Sequence, residues 1–196
     1  MFMDSFRDGW FSSLSRSDRA DLVAHWERLP DDCLRRRFLR PMARHDLEAH
    51  AARALGPGAE VIGWYRDGVL RGVAELHMDT NGSEAAFSVE PDYRCQGIGQ
   101  ALMSHVLRRA RNRGCRALVI MTTRDNMPMI QIARKAGARL EYEGTEVIGV
   151  FRLERATFGT HLADMAEEEA AVFPDLVSHL GRMAAAWLPG PRRRSA

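Results

Sequence analysis

The stretch of sequence that decides the fold lies in the middle of the chain and reads Val89-Glu90-Pro91-Asp92-Tyr93-Arg94-Cys95-Gln96-Gly97-Ile98-Gly99-Gln100-Ala101-Leu102. Apolar residues typical of a strand lead into it, and Pro91 ends that strand because proline cannot donate a backbone hydrogen bond. Two glycines follow, and a helical pattern begins at once. The order of strand, glycine loop and helix N-terminus predicts an anion site, because the first helical turn has unpaired N–H groups and a dipole that favours negative charge.

The spacing of the glycines separates three kinds of phosphate-binding loop. A P-loop needs a lysine directly after its second glycine, and no lysine lies near this stretch. A dinucleotide-binding loop needs a third glycine, where this chain has Leu102. The remaining pattern is Arg94-x-x-Gly97-x-Gly99, whose glycines let the backbone approach a pyrophosphate without a Cβ in the way. A tight strand-to-helix turn that binds no ligand is the alternative.

Hydrophobic periodicity on both sides of this stretch predicts a mixed α/β sheet. The predicted strands cover residues 7–14, 60–65, 69–78, 83–89, 116–123, 139–142 and 146–153. The predicted helices cover residues 18–29, 33–39, 46–55, 98–112 and 126–135. The pair Asp67-Gly68 between two apolar runs indicates a tight hairpin. Antiparallel strands therefore come first, followed by a β-loop-α-β-α unit and a final hairpin.

Composition restricts the classes of function. The chain of 196 residues suits one domain with an appendage, and 28 basic residues against 26 acidic ones give no electrostatic case for nucleic acid. Its three cysteines are widely spaced, which argues against a disulfide framework or a metal site and fits a reducing compartment. The apolar run 117–121 is too short to span a membrane, and no signal-peptide pattern opens the sequence. We therefore expect a cytoplasmic enzyme or binding protein with no metal, membrane or nucleic-acid partner.

The character of the sequence changes after Arg155, which divides the chain into three predicted parts. The main domain is expected over residues 1–156, a helical extension over 157–190 and a basic tail over 191–196. Apolar residues in the extension recur with helical spacing, so one face of each helix must be buried. The extension either packs on the domain or forms a homodimer or partner contact through residues 162–188.

Three stretches carry a resemblance to a known family. The loop Arg94-x-x-Gly97-x-Gly99 resembles the acyl-coenzyme A loop of the GCN5-related N-acetyltransferases (GNAT). The stretch 126–137 resembles the second helix of that family, in which an asparagine meets the pantetheine or pyrophosphate region. The segment 29–42 resembles one in bacterial protein lysine acetyltransferases of the Pat type. The resemblance covers about residues 5–155.

The resemblance implies a GNAT fold with acetyl-CoA as co-substrate and a protein lysine ε-amine as the acceptor. A small-molecule amine acceptor and a non-catalytic acyl-CoA-binding module are the alternatives. A tyrosine that often protonates the departing thiolate in this family is replaced by Ala133, so no general acid is assigned. The implied cofactor-binding residues are Phe87, Ser88, Val89, Arg94, Cys95, Gln96, Gly97, Ile98, Gly99, Gln100, Ala101 and Asn126.

Acetyl transfer to an amine needs a neutral nucleophile and therefore a base. A lysine side chain with a pKa of about 10.4 is uncharged in only about one molecule in 2,500 at pH 7. The resemblance places the catalytic base at Glu84, which shares a strand face with Ala86 and Ser88. The rival bases are Glu75 and His77, two residues apart on the preceding strand. A backbone N–H near Val89 is expected to polarise the thioester carbonyl, and the amine is expected to attack directly.

Overall fold

The computed structural model describes residues 9–79 and 82–153, which form one seven-stranded sheet with helices on both faces. The strands are β1 (Gly9–Leu14), β2 (Ala59–Arg66), β3 (Val69–Asp79), β4 (Gly82–Val89), β5 (Ala117–Thr123), β6 (Arg139–Glu143) and β7 (Glu146–Arg152). The helices are α1 (Arg19–Glu27), α2 (Asp31–Phe38), α3 (Leu47–Ala54), α4 (Ile98–Asn112) and α5 (Met127–Lys135). The predicted helical extension and basic tail, residues 157–196, lie outside the described residues.

The sheet has the order β1-β2-β3-β4-β5-β7-β6, which confirms the predicted mixed α/β architecture. Every neighbouring pair is antiparallel except β4 and β5, which run parallel. That pair is joined through α4, because parallel neighbours need a crossover connection. No helix among the described residues is long and apolar enough to cross a membrane.

The β2–β3 hairpin confirms the turn predicted from Asp67-Gly68. Both residues have positive φ, 53° and 73°, as a two-residue type I′ turn requires. The turn fixes the register of β3, and β3 in turn pairs along the whole of β4. The β2–β3 turn therefore sets the position of β4 through its pairing with β3.

Each face of the sheet has its own apolar core. The apolar residues of α4, among them Leu102, Met103 and Val106, are buried against one face, and α5 adds Ala133 to this cluster. On the other face α1, α2 and α3 bury a second cluster that includes Leu22, Trp26, Leu34 and Leu47. Full burial of such side chains stabilises the fold by about 1.5–3 kcal/mol each. The sheet therefore lies between two apolar cores, and Ala85 of β4 is buried in the first of them.

A buried polar cluster ties α1 to the C-terminal end of β4. His25 is fully buried, with Nε2 2.9 Å from the Ser88 hydroxyl and Nδ1 3.3 Å from the Glu90 carboxylate. Arg28 and Arg71 each donate to Glu90 at 2.8 Å. Burial lowers the pKa of His25 below its ordinary 6.5. Burial alone would raise the pKa of Glu90, but hydrogen bonds from His25, Arg28 and Arg71 outweigh it and bring that pKa to about 2.

His25 should make the fold sensitive to mild acid. Its pKa is lower in the folded state than in the unfolded chain, so the unfolded state binds more protons below pH 6.5 and stability falls as pH falls. The Glu90 contribution is lost only between about pH 4.5 and 2. We expect the melting temperature to drop from pH 7 to pH 5, and to drop less in the variant His25→Gln. Thermal melts at several pH values test this, and equal slopes for both proteins would contradict it.

Candidate active site

The site begins where β4 and β5 separate. Their parallel pairing covers only Glu84 with Val119 and Ala85 with Ile120, after which the two strands diverge. Within residues 9–79 and 82–153, no strand consequently pairs with the edge of β4 from Ala86 to Val89 on that side. A cavity of about 220 Å³ lies at this opening. We call it the splay cavity; α2, the glycine loop, α4 and α5 complete its walls.

The glycine loop enters α4 in a conformation suited to anions. Gly97 precedes the helix with φ 84°, in the left-handed region that disfavours a Cβ, and α4 begins at Ile98. No acidic residue lies in the first turn of α4. The unpaired N–H groups of that turn and the helix dipole therefore face no competing negative charge within the turn.

The structure gathers most of the predicted cofactor-binding residues around the splay cavity. Those that line it are Phe87, Ser88, Val89, Arg94, Cys95, Ile98, Gly99 and Asn126. Four others, Gln96, Gly97, Gln100 and Ala101, lie in the loop and first turn of α4 without lining it. One continuous surface thus runs from the end of β4 to the start of α4.

Two predicted polar residues are held by local bonds. Arg94 donates to the Val89 carbonyl from Nε and to the Cys33 sulfur from Nη2, each at 3.0 Å, so it fastens the loop to β4 and α2. Asn126 caps α5 by accepting from the Met129 N–H at 3.4 Å, and its amide donates to the Thr122 hydroxyl at 2.9 Å. Both side chains shape the cavity wall.

Gly99 has a packing role that the sequence did not indicate. A Cβ built on this residue would stand 3.0 Å from Cδ1 of Ile132, on the facing side of α5. The absence of a side chain therefore allows α4 and α5 to approach closely beside the splay cavity.

A second cavity of about 250 Å³ adjoins the first, and we call it the polar cavity. Its lining residues are Arg37, Phe38, Leu39, Arg40, His50, His77, Glu84, Ala85, Ala86 and Met121. Four of them, Arg37, Ala85, Ala86 and Met121, also line the splay cavity, so the two spaces meet where β4 and β5 part.

The three candidate bases differ in their surroundings. Glu84 is exposed and lines the polar cavity but not the splay cavity. His77 also lines the polar cavity, with 41% of its side chain exposed. Glu75 is completely buried and paired with Arg37. Burial alone would raise the pKa of Glu75, but Arg37, His50 and His77 hold it well below the usual value.

Sequence reasoning missed the partners of both buried carboxylates. His25 carried a usable signal, because it falls among the apolar positions Leu22, Trp26 and Leu29 of a predicted helix. Arg37 and His50 carried no such signal, because each is an ordinary polar residue of a predicted helix in the sequence. Their contacts with Glu75 form only when α2 and α3 pack on the sheet.

Comparisons with known proteins agree with this geometry. A sequence profile of the acetyltransferase (GNAT) family matches residues 21–138. A mycothiol acetyltransferase from Stackebrandtia nassauensis is 33% identical over 85 residues, which make up 43% of this chain and 28% of that protein. The chain therefore spans about a quarter of the length of this curated relative.

Two solved structures share the fold. The GNAT domain of S. lividans PAT superposes with a TM-score of 0.64 at 21% identity, covering 73% of this chain and 89% of that one. The PaiA N-acetyltransferase of Thermoplasma acidophilum in complex with coenzyme A superposes with a TM-score of 0.55 at 17% identity, covering 74% and 99%. At these identities the similarity establishes the fold.

Gly97→Ala should weaken coenzyme A binding beyond its effect on stability. The left-handed φ of Gly97 makes a Cβ cost about 1–2 kcal/mol, and the methyl group also obstructs the loop backbone. We expect the Kd for coenzyme A to rise about tenfold or more by titration calorimetry, a loss of about 1.4 kcal/mol. Gly144→Ala, at φ 54° in the β6–β7 turn, is the matched control and should lower only the melting temperature. Equal affinities in the two variants would contradict the anion-site interpretation.

Proposed function

Because this chain belongs to the acetyltransferase (GNAT) family, we propose that it transfers an acetyl group from acetyl-CoA to an amine, and that this amine is a protein lysine side chain. The observation that carries the proposal is the meeting of two unlike cavities at the point where β4 and β5 separate. The splay cavity suits the acetyl donor, acetyl-CoA, and the polar cavity suits the amine that accepts the acetyl group.

The splay cavity fits acetyl-CoA in both shape and chemistry. Its apolar residues, among them Leu29, Ile98 and Ile132, suit the pantetheine arm. The N-terminus of α4 lies beside these apolar residues and offers N–H groups to the diphosphate. The unpaired edge of β4 supplies backbone groups along the arm, with an N–H near Val89 as the donor to the thioester oxygen.

The polar cavity suits the incoming amine. Ala85 and Ala86 belong to both cavities, and their small side chains leave room for the amine to meet the thioester. Glu84 precedes them on the same strand and lines the polar cavity with an exposed carboxylate. An exposed carboxylate at the acceptor entrance is placed to attract a lysine ammonium and to take its proton.

The reaction then needs no covalent intermediate on the protein. Glu84 removes one proton from the ammonium, and the neutral nitrogen attacks the thioester carbonyl. The C–N bond forms, the C–S bond breaks, and the departing sulfur takes the second proton from the attacking nitrogen. The buried Ala133 stands where a phenol often serves this step in the family, so direct proton transfer from the nitrogen suits this chain.

A small-molecule amine is the second candidate acceptor. The mycothiol acetyltransferase relative favours it, because mycothiol is a small molecule. The similarity to a Pat-type segment at residues 29–42, from which α2 is built, favours the protein lysine. A non-catalytic acyl-CoA-binding module is the remaining alternative, and turnover of any amine by the purified chain excludes it.

Glu84→Gln should abolish most turnover while leaving acetyl-CoA binding intact. Loss of a general base costs about 10²–10⁴ in rate, whereas Glu84 does not line the splay cavity. The measurement is coenzyme A release with a lysine peptide, alongside calorimetric titration of acetyl-CoA. Glu143→Gln, an exposed glutamate on the outer strand β6, is the control. Near-normal turnover in Glu84→Gln would remove this carboxylate from the mechanism.

A screen of acceptors should separate the two kinds of amine. Wild-type protein is offered lysine-containing peptides, polyamines, amino acids and amino sugars with acetyl-CoA, and products are identified by mass spectrometry. We expect acetylation at the lysine Nζ of peptides with higher kcat/KM than for any small amine. The reverse order would assign the enzyme to small-molecule acetylation.

A further inference from the structure

The polar cavity has a buried carboxylate beneath it that holds two imidazoles. Glu75 on β3 is completely buried, and Arg37 from α2 donates to its Oε1. Oε2 lies 3.3 Å from Nε2 of His50 on α3 and 3.2 Å from Nε2 of His77 on β3. Two helices on one face of the sheet, together with β3 itself, thus contribute side chains that contact one carboxylate.

The ionisation of Glu75 determines which nitrogen of each ring carries hydrogen. Arg37, His50 and His77 outweigh burial and keep the pKa of Glu75 well below its usual value, so the carboxylate is ionised and can only accept. Each imidazole must then donate from Nε2. A neutral His77 therefore presents Nδ1 as a proton acceptor, because a neutral imidazole has one donor and one acceptor nitrogen.

His77 is more accessible than His50 and faces Glu84. The side chain of His77 is 41% exposed, against 18% for His50. His77 and Glu84 are directly opposite in the antiparallel register of β3 and β4, which places their Cβ atoms about 4.5–5.5 Å apart on the same face. Both side chains line the polar cavity. A carboxylate and an imidazole that can accept a proton thus lie together where the amine substrate would enter.

We propose that His77 is a proton relay for acetyl transfer, receiving at Nδ1 the proton that Glu84 takes from the acceptor amine, and that Glu75 is the positioning residue that holds its ring. This inference rests on the function proposed above. The ammonium gives one proton to Glu84, Glu84 gives it to His77, and the imidazolium releases it to solvent. The second amine proton leaves on the sulfur of coenzyme A, so each turnover releases one proton through His77.

The relay gives the proton a path to solvent while an acceptor occupies the polar cavity. A bound acceptor would cover the otherwise exposed Glu84 carboxylate, and the neighbouring imidazole then offers a second way out. A neutral imidazole has one acceptor nitrogen, so His77 can take that proton at Nδ1 and pass it to solvent. The charged and titratable groups around it are Glu75 on β3, Glu84 on β4, His50 on α3, Arg37 on α2 and Arg40 shortly after that helix.

A spectroscopic test examines the ring without relying on turnover. Protein labelled with ¹⁵N at histidine is studied by long-range ¹H–¹⁵N correlation at pH 8, with His77 assigned by its loss in His77→Gln. We expect the Nε2–H tautomer for His77. The Nδ1–H tautomer would overturn the relay, because its acceptor nitrogen would then face Glu75.

A kinetic test examines the proton transfer. His77→Gln should lower kcat about 10²-fold with an unchanged KM for acetyl-CoA. It should also remove from the pH profile of kcat the part of the curve that reports protonation of an imidazole, which we call the imidazole limb. Added imidazole should partly restore turnover to His77→Ala. His45→Gln, a histidine whose side chain is 83% exposed between α2 and α3, is the control and should match wild type. Wild-type kcat and pH profile in His77→Gln would overturn the relay.

A third comparison tests the positioning role of Glu75. Glu75→Asp should keep more activity than Glu75→Gln and should retain the imidazole limb of the pH profile. Because either change can destabilise the buried pair with Arg37, the solvent-accessible His77 variants keep the relay falsifiable if neither protein folds. If the wild type is active and the His77 variants have the same kcat and pH profile, the relay alone is overturned. If the wild type binds acetyl-CoA but acetylates no amine, the proposed function and the relay are overturned together.

Discussion

The site depends on the early end of the hydrogen bonding between β4 and β5. Two pairs of residues join these strands, after which the strands part. The separation leaves backbone groups of β4 exposed to a cavity and brings the N-terminus of α4 beside them. A fully paired sheet would close this opening, because every backbone group would be used in the ladder. An apolar core on each face of the sheet supports the fold on both sides of this opening.

Two buried carboxylates hold helices against the sheet beside the site. Glu90 collects His25, Arg28 and Arg71 and fixes α1 to the end of β4, directly before the glycine loop. Glu75 collects Arg37, His50 and His77 beneath the polar cavity. Each carboxylate stays ionised because hydrogen-bond donors surround it, and each would be costly to bury without them. The same contacts therefore shape the site and link its stability to pH.

Much of the fold could be predicted from the residues. Hydrophobic periodicity predicted a helix over residues 98–112, and α4 has those bounds. The tight hairpin predicted from Asp67-Gly68 is also present. Boundaries elsewhere moved by one or two residues, as at α2, which begins at Asp31 because the Pro30 carbonyl accepts its first helical bonds. Local periodicity and turn chemistry are properties of short segments, so the sequence carries them directly.

The sequence by itself determined the order of the elements and the glycine loop before α4, and its resemblance to the family named Glu84 as a candidate base. Only the tertiary structure decided that Glu84 lines the polar cavity while Glu75 is buried beneath it, and that His77 contacts Glu75 through Nε2. The physical reason is distance along the chain. Arg37, His50 and Glu75 meet across separations of 38 and 25 residues, and no local pattern encodes which distant donors will surround a buried charge.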